Sequence, residues 1–171
     1  MSELDLATAV KDPAIKALFE KHVTELRINA VPEEFKGVDS YSWDVTIAQK
    51  SPGRWAVSDR LNQYDAKKRT GYESLPSSRT DAFKKRFRHS LEDAVKLANE
   101  IAPTIIVMGL SPAGYAKWEE ARQIMDARKN AGEEFENYDL TFVETIESLN
   151  PDEHMLSRLE GMRRRALEDK K

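Results

Sequence analysis

The sequence predicts an α+β fold: a mixed sheet containing a β-hairpin in its N-terminal half, with helices packed mainly on one face. Three observations carry this. Two alternating apolar–polar runs flank a Pro-Gly turn within 43–58, the pattern of a half-buried hairpin. Four cap residues, Asp12, Ser90, Ser111 and Asn150, are followed by Pro or by an acid three residues on, as helix starts are. Strand-like and helix-like periods alternate in the second half, which implies crossovers as well as hairpins.

The elements follow in order. Asp12-Pro13 caps a helix whose stripe is Ile15, Leu18, Phe19, His22 and Leu26, ending before Pro32. Residues 31–41, with Pro32 and Gly37, read as a loop. Trp43, Val45 and Ile47 then alternate with Asp44, Thr46 and Ala48, and Trp55-Ala56-Val57-Ser58 answers them across Ser51-Pro52-Gly53. A Pro-Gly turn suits a tight two-residue hairpin poorly, so a longer loop or a bulge is expected. Residues 61–81 have no clean period and read as a long loop, a type of segment that is often functional.

Phe83 to Arg88 reads as a strand, because Ser90 with Asp93 starts a new helix just behind it. That helix carries Leu91, Ala94, Val95, Ala98, Ile101 and Ala102, and Pro103 ends it. Thr104 to Met108 reads as a buried strand. Ser111-Pro112 opens a helix with Tyr115, Trp118, Ala121 and Met125, closed by Gly132. Residues 139–147 alternate like a half-exposed strand, with Glu144 interrupting the apolar face. Asn150-Pro151 starts a last helix striped by Met155, Leu159, Met162 and Ala166, with Arg163–Arg165, Lys170 and Lys171 near its end. The organisation expected is a single α+β domain over 1–171: an N-terminal helical arm at 1–40, a sheet-containing core at 41–149 and the C-terminal helix at 150–171. The segment from Trp43 to Ala102 resembles small βββα modules in architecture. It carries no catalytic motif, so the resemblance implies nothing about activity.

Composition narrows the function. With no cysteine among 171 residues, disulfides, thiolate metal sites and a Cys nucleophile are excluded, which suits a cytoplasmic protein. No apolar run is long enough to span a membrane, and the N-terminus lacks the basic and apolar regions of a signal peptide. Net charge is only −3, but it is unevenly spread. Eight Lys/Arg against three acids give +5 over 65–89, while 130–157 holds eight acids and no Lys or Arg.

Four groups of residues are candidates for chemistry. The turn Gly109, Ser111, Gly114 follows an apolar run and opens a helix, where backbone N–H groups can hold phosphate. It lacks the glycine, lysine and acid that dinucleotide or P-loop sites need, and its second glycine comes one residue late for a nucleophile elbow. A plain helix cap explains it. The three histidines, His22, His89 and His154, have no partner at metal-ligand spacing. His22, on an apolar stripe, reads as a half-buried packing residue. The adjacent acid pairs Glu119-Glu120, Glu133-Glu134 and Asp152-Glu153 do not face each other on any regular element. No catalytic residue, metal ligand or cofactor is therefore assigned.

The fourth group is the basic stretch Lys67, Lys68, Arg69, Arg79, Lys84, Lys85, Arg86 and Arg88, interleaved with aromatics. On a strand, Lys84, Arg86 and Arg88 would share one face about 7 Å apart, a spacing suited to successive phosphates. Read plainly, the stretch is a solvated face or a strand paired with acidic 139–147. The function expected is a non-enzymatic binding or regulatory protein that contacts a macromolecule through 67–88. The partner would be nucleic acid, an acidic protein surface, or a second copy offering its acidic 133–153 segment, with no membrane involved. The alternative is a small enzyme or nucleotide binder using the Gly109–Gly114 turn.

Overall fold

The computed structural model describes residues 6–37, 39–60, 62–73 and 75–168. The expectations for the N-terminal five residues and for Lys170 and Lys171 fall outside these. The chain divides into two compact units. One joins the described residues up to Ala30 to Tyr41–Ala102, and the other joins Val31–Ser40 to the chain from Pro103 onward. No helix among the described residues is long and apolar enough to cross a membrane.

The first unit holds a five-stranded sheet whose strands lie in chain order: β1 (Glu25–Ile28), β2 (Val45–Ser51), β3 (Arg54–Ser58), β4 (Gln63–Tyr64) and β5 (Thr70–Gly71). The expected hairpin is β2–β3, with Ile47 opposite Val57 and a register shift between Gln49 and Ser51. That bulge lets the turn close, and Gly53 takes the φ of 66° that the turn requires. Two helices, α1 (Leu6–Ala9) and α2 (Pro13–His22), precede the sheet. Asp12 caps α2 by accepting from the N–H groups of Ala14 and Ile15.

Two more helices, α3 (Asp81–Phe87) and α4 (Leu91–Ile101), follow the sheet. Ser90 caps α4, accepting from the N–H of Asp93, and α4 packs on β2 and β3. Val45, Ile47, Trp55, Val57, Leu91, Val95 and Ile101 form the buried centre of this unit. Just before α4, His89 and Trp55 exchange backbone hydrogen bonds of 2.8 and 2.9 Å, which tie the chain after α3 to the sheet.

The second unit is built on three helices, α5 (Pro112–Asn130), α6 (Tyr138–Ser148) and α7 (Glu153–Glu168). Met125, Val143, Ile146, Met155 and Leu159 are buried between them, and Trp118 meets Phe142 edge-on at 4.9 Å. Ser111 accepts from the N–H of Gly114 to cap α5, and Gly132 (φ 86°) follows its C-terminus.

Several expectations change. The first helix stops at His22, and Glu25–Ile28 pairs with β2, so Leu26 belongs to a strand. His22 is exposed on the last turn. The 61–81 loop contains β4 and β5. Phe83 to Phe87 is helical, with Arg88 as its C-cap: Thr80 caps α3 by accepting from the N–H of Phe83, and the Phe83 ring meets that of Phe87 one turn away at 4.7 Å, tilted by 36°.

Thr104 to Met108 is no strand. Pro103 and Gly109 bracket it too closely, and its one pairing, Val107 with Leu110, closes a turn through Met108 (φ 52°) and Gly109 (φ 78°). Residues 139–147 form α6, with Asn137 accepting from the N–H of Leu140. Phe142, Val143 and Ile146 are buried at helical spacing, which takes Glu144 off the apolar face. With both crossover strands gone, every pairing in the sheet is antiparallel. The cap of α7 also moves. Asp152 accepts from the N–H of Met155, while Asn150 sits at φ 57° outside the helix.

Candidate anion-binding groove

The helical form of 81–87 reorders the basic residues. Asp81, Lys84, Lys85 and Arg88 stand at i, i+3, i+4 and i+7, one stripe of α3 and its C-cap. This stripe lines a groove of about 820 Å³ together with Arg79 and with Lys50, Ser51 and Arg54 from the β2–β3 turn. Six cations thus surround one concavity, with Asp81 the lone lining acid among the described residues. The hairpin turn supplies two cations that a reading confined to 67–88 omits.

One further acid reaches these cations. Glu73 accepts from Arg88 at 2.7 Å and pairs with Arg79 at 3.3 Å and Lys50 at 3.4 Å. The Arg88 side chain is only 7% exposed. It also donates to Gln63 Oε1 at 2.8 Å and to the carbonyl of Phe87 at 3.0 Å, and it lies over the Phe83 ring. Its charge is therefore fixed in direction, as a preformed carboxylate or phosphate site requires. Lys84 pairs with the exposed Asp81. Arg54 and Lys85 have no ion-pair partner among the described residues.

The other predicted basic residues lie outside this lining. Arg69 and Arg86 both direct Nε at Asp65, at 2.8 and 2.9 Å. The buried Asp65 carboxylate also accepts from the backbone N–H groups of Lys67 and Arg69. Burial pushes this carboxyl up, but the hydrogen bonds from Arg69, Arg86 and Lys67 outweigh it and hold it well below the usual carboxylate range. Asp65 thus locks the β4–β5 turn, and Arg69 and Arg86 serve the fold. Lys68 pairs with Glu100 at 2.9 Å, and Lys67 stays exposed on the turn. The expected shared face of Lys84, Arg86 and Arg88 is absent, because helical geometry sends Arg86 to Asp65 and away from the other two.

The Gly109–Gly114 turn is built differently. The Ser111 hydroxyl donates to Asp152 while accepting from Gly114, so one oxygen links the caps of α5 and α7. Ser111 is buried, and its hydrogen goes to a carboxylate with no histidine between. Gly114 packs under this contact, where a Cβ would lie 3.3 Å from Ser111 Oγ and 3.4 Å from Asp152. Its N–H is already used by the cap. Among the described residues, His, Asp and Glu form no cluster able to hold a metal ion. No family model, curated protein or solved structure matches the chain.

Proposed function

We propose that this is a non-enzymatic binding protein that docks an acidic segment of a protein partner in the groove between the β2–β3 turn and α3. The observation that carries this is the convergence of six cations from two separate stretches of chain on one concave surface. Glu73 and Asp81 leave that surface with a substantial positive excess. Such a surface attracts anions and gives specificity by complementarity.

A peptide carboxylate suits it better than single-stranded nucleic acid, because among the described residues no aromatic ring lines the groove to stack a base. The fixed Arg88 and the exposed Lys84 and Lys85, each an ammonium on a long flexible stem, suit an extended chain with several acids. The absence of cysteine fits such a partner interaction in a reducing, cytoplasmic setting.

The test is binding of a fluorescent oligoglutamate peptide at low and high salt, beside an oligothymidylate of similar charge. Peptide affinity should exceed that for the oligonucleotide and fall with salt. Arg54→Glu with Lys85→Glu should lower it about tenfold or more while leaving the thermal midpoint unchanged. Stronger binding of the oligonucleotide would make the partner a nucleic acid. Binding of neither would end the proposal.

A further inference from the structure

Three of the groove's six cations, Lys50, Arg79 and Arg88, already converge on Glu73, a carboxylate of the same unit. Glu73 lies on the segment joining β5 to α3. Tyr72 and Leu75 on the same segment are 80% and 74% exposed, so neither of these large side chains is held down by apolar packing. At its start Gly71 is fixed against the ring of Phe87, where a Cβ would come within 2.5 Å. The segment is thus pinned at its root and seated further along through the Glu73 carboxylate.

We infer that Glu73 is a built-in competitor for the groove: it occupies Lys50, Arg79 and Arg88 in the free protein and is displaced when a partner carboxylate takes its place. This rests on the reading of the groove as an acidic-segment site and adds its regulation. The exchange is like for like. Arg88 is buried and needs an acceptor at all times, and either carboxylate provides one. Glu73 is tethered a short distance away, so its effective concentration is on the order of millimolar. A partner must therefore bring more than one acid, and the unpaired Arg54 and Lys85 offer places for the additional ones. A lone carboxylate cannot win, so the device selects acidic runs over single acids.

The experiment compares wild type with Glu73→Gln, which keeps an acceptor for Arg88 but removes the charge. The probe is the oligoglutamate peptide at low salt. The variant should bind it about five- to tenfold more tightly, in line with loss of several part-exposed ion pairs. Free acetate, too weak to compete in wild type, should become a measurable inhibitor of peptide binding to the variant. If Glu73→Gln fails to fold, amide hydrogen exchange on wild type decides instead: exchange around 72–73 should speed up when the peptide saturates the groove. Unchanged or weaker peptide binding by a folded variant, or slower exchange at 72–73, overturns the inference. If neither protein binds the peptide at all, the groove reading itself fails and this inference falls with it. If wild type binds through Arg54 and Lys85 but Glu73→Gln is no tighter, only the competitor role is lost.

Discussion

Replacing Ser111 with alanine removes one oxygen that serves two helices. At an ordinary N-cap the loss of the hydroxyl costs about 1 kcal/mol. Here the same hydroxyl also donates to Asp152, which caps α7 through the N–H of Met155. A hydrogen bond to a charged acceptor is worth about 1.5–3 kcal/mol when desolvated. Asp152 is only partly buried, so the lower end applies, and Ser111→Ala should cost about 2–3 kcal/mol in all.

The effect should depend on pH with a definite sign. Burial pushes the Asp152 carboxyl up, but the Ser111 hydrogen bond, the Met155 N–H and the nearby His154 and Lys117 bring it below its ordinary value. A carboxyl lowered on folding adds stability that is present above its unfolded pKa of about 4 and is lost as pH falls through the folded value. The penalty of Ser111→Ala should therefore be full near pH 7 and shrink below about pH 4. Urea midpoints across this range measure it, with Asp152→Asn and the double mutant completing a cycle. A penalty of about 1 kcal/mol or less that is flat with pH, with additive single mutants, would refute the two-helix role of Ser111.

Arg88→Ala should destabilise by about 2–3 kcal/mol, because it removes a nearly buried guanidinium, leaves Gln63 Oε1 without that donor and leaves Glu73 only Arg79 and Lys50; Lys85→Ala on the same stripe should change stability by less than about 0.5 kcal/mol in urea denaturation. Gly71→Ala should cost about 1–3 kcal/mol by forcing a methyl into the Phe87 ring, and Phe87→Leu should recover part of that in the double mutant. Glu100 lies below the usual carboxylate range because the Lys68 ammonium hydrogen-bonds it, so Lys68→Ala should raise its midpoint in an NMR titration.

The parts of the fold that were legible in the sequence had local causes. Asp12, Ser90 and Ser111 cap helices because a short polar side chain beside a Pro or ahead of an acid can satisfy an orphan N–H whatever surrounds it. The β2–β3 hairpin follows from alternation on both sides of one turn. The segments read wrongly were short apolar runs, whose period does not separate strand from helix. Phe83 and Phe87 share a face in either, and the Thr80 cap was the deciding signal. In 139–147 the misplaced Glu144 was itself the clue, since a helix resolves it.

The candidate site was half legible. Arg79, Lys84, Lys85 and Arg88 lie in the basic stretch, and the helical stripe groups them. Lys50 and Arg54 were out of reach, because only the folded sheet brings the hairpin turn beside α3. Nor can charge counting show that Arg69 and Arg86 are spent on Asp65.

The borders of the sheet have a consequence for behaviour at high concentration. β5 has two residues, and β1 has four, two of which are the charged, exposed Glu25 and Arg27. Those two hold each other at 3.0 Å, and Arg27 also reaches Asp44 at 3.7 Å. A foreign strand arriving at either border would find few free backbone groups, and at β1 it would have to bury an ion pair to reach them. Both borders are therefore poor templates for growth by strand addition, the usual route from a small antiparallel sheet to fibrils.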